Sequence, residues 1–337
     1  SAYLMKGIRN NEDVNDIAFN CLMCGRCDRY CPVGIELTPI RMIRRRAESV
    51  EPPEKSLWSR YFPDLIKIVN TRSNGHPAFS WLPQIKTEAT EVLYYAGCMT
   101  HLTPAIKKAM IRILDASGLN YRFLDEAGGV CCGRPLMLAG KDKEARELIN
   151  FNSGLIRDSG ARILVTSCPI CYKVFRESYY LEVELMHHTQ FIKMLIDEDM
   201  LRLRFLRKKV VYHAPCDLGR GSGIYDEPKD VLRHVARLQP TGFDDDDSLC
   251  CGGSLGNTRI SYRQKNKIAA DAASALTKGN PEILATACPL CKKTFTTVTD
   301  TRVADIAEIV AEAIAPNPPE LKKHVVKELY REPADMI

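Results

Sequence analysis

Arg162-Ile-Leu-Val-Thr-Ser-Cys168-Pro-Ile-Cys171 is answered 120 residues later by Glu282-Ile-Leu-Ala-Thr-Ala-Cys288-Pro-Leu-Cys291. Both stretches read alike: a charged residue, an apolar run of strand length, a cysteine, a proline suited to the first turn of a helix, and a second cysteine. Working outward, the match continues. Glu91–Ala96 is a short apolar run ending at Gly97-Cys98, and Lys209–His213 leads likewise to Cys216. Cys131-Cys132-Gly133 and Cys250-Cys251-Gly252 stand between these landmarks, and equivalent cysteines lie 118, 119 and 120 residues apart. Helical patterns over Pro104–Ser117 (stopped by Gly118), Lys141–Ser159 and Tyr262–Leu276 alternate with the strands. A plan stated twice, with strands and helices alternating, predicts two α/β modules of Rossmann-like design. The cysteines fall where strands end and helices begin, where backbone N–H groups can face anionic sulfur.

The remaining cysteines open the chain: Cys21-Leu-Met-Cys24-Gly-Arg-Cys27-Asp-Arg-Tyr-Cys31-Pro32. Cys-x2-Cys-x2-Cys-x3-Cys-Pro is the bacterial ferredoxin run, followed here by an Arg-rich helical stretch from Thr38 to Val50. Either Cys21, Cys24, Cys27 and Cys31 close one 4Fe–4S cube, or an upstream motif shares the ligation. Structural zinc usually pairs two Cys-x2-Cys knuckles across a longer gap, so a cluster fits this spacing better than zinc. All fourteen cysteines are thus placed in three sets. A disulfide framework suits small secreted domains, and a chain of 337 residues has length enough for cores of its own.

Each repeated set holds five thiols: Cys98, Cys131, Cys132, Cys168 and Cys171, then Cys216, Cys250, Cys251, Cys288 and Cys291. Adjacent cysteines are awkward ligands for one tetrahedral ion, whereas a multi-iron cluster spreads its ligation sites. Five thiolates exceed the four that a cube needs, which suits an opened cluster. The pattern resembles the cysteine-rich CCG domain of heterodisulfide reductase catalytic subunits and of iron–sulfur subunits of glycolate, lactate and glycerol-3-phosphate oxidation systems. His213-Ala-Pro-Cys216-Asp-Leu-Gly-Arg220 and Gly223-Ile-Tyr-Asp-Glu-Pro228 look most like the membrane-associated, single-chain heterodisulfide reductase. That resemblance implies two noncubane 4Fe–4S clusters on the five-cysteine sets, cleaving a disulfide to two thiols by one-electron steps. It also implies an electron-donating flavoprotein or iron–sulfur subunit, and a membrane cytochrome b-type or quinone-linked partner. Relatives with incomplete sets mostly relay electrons, and relay between a flavoprotein dehydrogenase and a quinone-linked partner is the alternative reading. Two features depart from the family pattern: one ferredoxin motif where two are usual, and Arg134-Pro135 where the second module has Gly253.

Other residues invite a role. Arg134 can raise the potential of an anionic cluster or bind an acidic substrate group, and is otherwise a surface Arg at a helix start. His213, three residues before Cys216, can donate to a cluster sulfur or to a departing thiolate, and is otherwise a packed polar residue; Tyr95 is its counterpart. Gly219-Arg-Gly-Ser-Gly223 lacks the strand context of a dinucleotide loop, so neither flavin nor nicotinamide is expected. Asp244–Asp247 reads as a solvated loop or a docking patch, and Arg41, Arg44, Arg45 and Arg46 as a solvated helix face or a docking face.

The formal charge of +5 brings no dense basic stretch with interleaved aromatics, so no nucleic-acid partner is expected. No apolar run approaches the roughly 18 residues of a membrane span, and the first residues lack signal-peptide character. The expected location is cytoplasmic, peripheral on the inner face of the membrane through a partner subunit. The expected organisation is a ferredoxin-type helical domain over 1–50, a Pro-punctuated linker over 51–90, CCG modules over 91–205 and 206–320, and a tail over 321–337.

Overall fold

The computed structural model describes residues 18–47, 90–126, 131–138, 140–253 and 260–315. The expected linker, apart from Thr90, and the expected tail lie outside them. The N-terminal segment carries two helices, α1 (Arg26–Arg29) and α2 (Leu37–Ala47). Asp28 starts α2: its Oδ1 accepts from the Leu37 N–H at 2.7 Å, and its Oδ2 from the Thr38 hydroxyl at 2.5 Å.

Two four-stranded, all-parallel sheets follow. The first is built from β1 (Val92–Tyr95), β2 (Tyr121–Phe123), β3 (Ile163–Thr166) and β4 (Glu184–His187), in the order β2-β1-β3-β4. Its helices are α3 (Cys98–His101), α4 (Pro104–Ser117), α5 (Arg134–Leu138), α6 (Asp142–Asp158), α7 (Pro169–Ser178) and α8 (His188–Asp197). The second comprises β5 (Lys209–His213), β6 (Arg237–Gln239), β7 (Ile283–Thr286) and β8 (Arg302–Asp305), in the equivalent order β6-β5-β7-β8. Its helices are α9 (Gly219–Ser222), α10 (Asp226–Val235), α11 (Tyr262–Leu276), α12 (Pro289–Thr296) and α13 (Ile306–Ala313). The register repeats as well: Tyr95 pairs with Thr166 as His213 pairs with Thr286. The fold is therefore α/β with two Rossmann-like modules, as the repeat predicts.

The central strands are buried on both faces, which is why β1, β3 and β7 read as unbroken apolar runs rather than alternating ones. Val92 and Tyr94 on one sheet, and Val210 and Tyr212 on the other, face a common core filled by α4, α8, α10 and α13. Leu93 and Leu164 turn the other way onto α6 and α7, and Val211 and Leu284 onto α11 and α12. Across the common core α4 lies on α13, and α8 on α10. These are equivalent pairs with the modules exchanged, so the halves pack about a pseudo-twofold axis. At its centre His187 and Asp305, at equivalent places, are the N-caps of α8 and α13, and each forms a capping box. His188 reaches across, its Nε2 3.0 Å from Asp305 Oδ1, with both side chains fully buried.

The Arg cluster of α2 is not the uniform docking face considered above. Arg45 is fully buried and donates to the carbonyls of Ala18 at 3.0 Å and Cys21 at 2.9 Å, Arg41 turns to Cys27, and Arg46 pairs with Asp142. A guanidinium able to donate to two carbonyls next to a tight cysteine loop is drawn inward. Residues Asp245–Asp247 likewise form a short 3-10 helix engaged by other parts of the same chain. Among the described residues no helix is long and apolar enough to cross a membrane.

Candidate functional site

In a parallel sheet whose order reverses between β1 and β3, a crevice opens beyond the carboxyl ends of those strands. Cys98 follows β1, and Cys168 follows β3 as the N-cap of α7. Cys216 and Cys288 occupy the same places in the second module, Cys288 capping α12. Pro169 and Pro289 stand in the first turn, where the missing N–H costs nothing. Each Cys-Cys-Gly folds back over its crevice, and the glycine is a geometric requirement. Gly252 has φ +78°, and a Cβ there would stand 2.7 Å from the Lys265 carbonyl oxygen. Gly97 shows the same need at the start of the first crevice: φ is +78° and a Cβ would lie 3.0 Å from Cys171 Sγ.

The thiols of each set touch in series. In the first module Cys98 hydrogen-bonds with Cys131, Cys131 with Cys132, Cys132 with Cys171, and Cys171 with Cys168. The second repeats the string as Cys216, Cys250, Cys251, Cys291 and Cys288. The second cysteine of each adjacent pair is the one whose pKa is brought down. Hydrogen bonds from Cys131 and Cys171 bring Cys132 well below the ordinary thiol range, helped by the Arg134 backbone N–H and charge. Cys251 is lowered in the same way by Cys250 and Cys291, with His213 and the Gly253 N–H assisting. Further backbone donors reach Cys131 from Gly133 at 3.5 Å and Cys250 from Gly252 at 3.4 Å. Contiguous, mostly buried thiols reached by backbone N–H groups are a donor set suited to an anionic polynuclear iron–sulfur cluster. Among the described residues no three His, Cys, Asp or Glu side chains gather as a site for a single ion.

The two strings approach each other at the seam between modules, where α3, which Cys98 opens, lies against α12, which Cys288 caps. A cavity of about 30 Å³ there is lined by Cys216, Cys251, Cys288 and Cys291 together with Ile170 and Arg134. A wider cleft of about 820 Å³ opens beside it, between the N-terminal segment and both modules, and Cys24, Cys216, Arg134, Lys173 and Arg220 line it.

In the N-terminal set Cys21 Sγ accepts from the Met23 N–H and Cys31 Sγ from the Ile35 N–H, both at 3.3 Å. Arg41 donates to Cys27 Sγ at 3.3 Å. The pKa of Cys24 is lowered to about 6, chiefly by a hydrogen bond from Cys250.

His213 is buried and fully engaged. Its Nε2 lies 2.9 Å from the Leu249 carbonyl and its Nδ1 3.1 Å from the Thr286 hydroxyl, so the ring donates to the first and accepts from the second. Burial lowers its pKa, and a neutral ring matches these bonds. Arg134 heads α5 at the seam, mostly covered, with its guanidinium 3.8 Å from Asp217, beyond a good hydrogen bond. Sequence reasoning missed three supports of the first crevice. Buried Asp125 accepts from the Ala96 and Gly97 N–H groups at 2.8 Å each and so fixes the turn before Cys98. Asn152 and Tyr179 donate to the Cys131 and Cys132 carbonyls at 2.8 and 3.1 Å and so orient the adjacent pair. None belongs to a cysteine motif, and a buried polar residue is found only once its partner is known.

A family described as "Cysteine-rich domain" matches residues 92–176 and 210–296, together just over half of the chain. The chain is 28% identical over 332 residues to a dihydromethanophenazine:CoB–CoM heterodisulfide reductase subunit of Methanosarcina barkeri, covering 90% of this chain and 79% of that protein. The corresponding protein of Methanosarcina mazei is 27% identical with the same coverages. An EtfAB:quinone oxidoreductase of Syntrophomonas wolfei is 25% identical over 355 residues, covering 89% of this chain and 47% of its own length.

Proposed function

We propose, from the premise that the chain belongs to the cysteine-rich CCG family and is an iron–sulfur oxidoreductase of the heterodisulfide reductase type, that it reduces a disulfide to two thiols at the seam between its modules. The observation that carries this reading is the approach of two complete five-thiol sets at that seam, where α3, which Cys98 opens, lies against α12 and where Arg134, Pro169 and Ile170 line one cavity with Cys216, Cys251, Cys288 and Cys291. Cys98, Cys131, Cys132, Cys168 and Cys171 would hold one noncubane 4Fe–4S cluster, and Cys216, Cys250, Cys251, Cys288 and Cys291 the other. Cys21, Cys24, Cys27 and Cys31 would hold a cubane 4Fe–4S cluster toward an electron-donating flavoprotein or iron–sulfur subunit. When bound, these clusters supply the one-electron chemistry.

The reaction consumes one disulfide, two electrons and two protons and yields two thiols. The chain's own residues contribute placement. Pro169, Ile170, Pro215 and Leu290 line the seam with apolar surface and limit water there. Arg134, weakly paired with Asp217, is poised to orient an acidic group of the substrate. His213 holds the Leu249 carbonyl and thereby the Cys250-Cys251 loop; with both ring nitrogens engaged it positions rather than transfers a proton. Protons then come from water in the cleft.

Anaerobic iron and sulfide analysis tests the cofactor content first. Oxidised protein titrated with thiols of graded size and charge is expected to develop a new paramagnetic signal. A Cys251→Ser variant with unimpaired disulfide reduction would sink the proposal. Electron relay without bond cleavage is the second reading, favoured by the likeness to the EtfAB:quinone oxidoreductase, and silence across all thiols would favour it.

A further inference from the structure

The N-terminal thiols are clamped to one module in particular. Arg220, on α9 one turn after Cys216, donates from Nε to the Cys24 carbonyl at 3.0 Å and from Nη1 to the carbonyls of Asp246 and Ser248 at 2.8 Å each. One planar guanidinium therefore ties the Cys24 peptide to the loop that leads into Cys250. Around it, Arg29 pairs with Asp246 at 2.9 Å and the Tyr30 hydroxyl bonds to Asp247. The clamp thereby brings Cys24 and Cys250 into one neighbourhood, the guanidinium holding the Cys24 carbonyl on one side and the Ser248 carbonyl, two residues before Cys250, on the other. Toward the first module, the described residues of the N-terminal segment include the exposed Arg46–Asp142 pair at 3.1 Å, an ion pair weakened by solvent.

We propose that Arg220 is a positioning residue for electron transfer: it presses Cys24 against Cys250, making that sulfur pair the junction by which electrons reach the second module before the first. This rests on the iron–sulfur reading above. At the junction the N-terminal centre loses one electron and the second-module centre gains it; no bond breaks and no proton moves. The reductant is a one-electron carrier protein, replaced in the test by dithionite. From the second module the contact of α12 with α3, which Cys98 opens, leads on to the first.

The full-length, iron-loaded protein reduced with dithionite is expected to show magnetic interaction between two centres in its electron paramagnetic resonance spectrum. Arg220→Ala should lose that interaction while keeping its iron. Arg220→Lys, which retains the charge but cannot span three carbonyls, should lose it too, and it decides the matter if Arg220→Ala does not fold. Arg46→Ala, cutting the tie to the first module, should keep it. Independent centres in the iron-loaded wild type, or an interaction that survives both Arg220 variants, would overturn the proposal while leaving the iron–sulfur reading intact. A wild type devoid of iron and sulfide would overturn both.

Discussion

At the scale of single residues, the third position of each Cys-Cys-Gly carries a physical demand that can be tested in isolation. Gly252 combines φ +78° with a carbonyl oxygen where a Cβ would go, so Gly252→Ala is strained in the backbone and obstructed in space. The cost expected is about 1–3 kcal/mol, with reduced iron retention in the second set. Denaturant melts and iron assay check this, and a variant matching wild type in both would show that the turn adapts. The cysteines and their glycines were legible before any coordinates, because ligation and positive φ leave few residue choices. Arg220 was not: it was read for family resemblance and in a Gly-rich run weighed for nucleotide binding, and its three carbonyl partners are 196, 26 and 28 residues away. Arg45 was read for its charge, whereas its role is to satisfy buried carbonyls.

At the scale of elements, the strong helices and central strands followed from pattern, since α4, α11 and β5 span the residues that periodicity and caps selected. The edge strands β2, β4, β6 and β8 did not. They have three or four residues each, and β4, β6 and β8 begin with an exposed charged residue, so pairing rather than local preference makes them strands. The junction of β4 with α8 carries a pH dependence. His187 Nδ1 accepts from the Thr189 N–H and stands 2.8 Å from its hydroxyl, which requires a lone pair. Burial, reinforced by nearby His188, holds its pKa well below the ordinary histidine range. The unfolded chain then binds a proton that the folded chain refuses. Stability from this group is complete above about pH 6.5 and is lost as pH falls from there toward the folded pKa. Compared at pH 7.5 and 5.5, His187→Asn should lose less stability on acidification than wild type. Equal losses would remove His187 from the acid response.

For the whole molecule, the shared core makes the two modules one cooperative unit. Ile309 of α13 is fully buried in it, and α13 lies against α4 of the other module. Ile309→Ala is expected to cost about 2–5 kcal/mol and to shift a single transition reported alike by far-UV and near-UV probes. Two separated transitions would mean that the halves unfold independently. The pseudo-twofold axis also bears on ancestry. Each half presents to the other the face that it would have to hide if it stood alone, and equivalent helices do the hiding on both sides. A single-module forebear with this face would have paired with a copy of itself, two identical crevices meeting across a true dyad. Within one chain the halves are free to differ: one has Arg134 after its glycine, the other has Gly253 there and holds the N-terminal segment through Arg220.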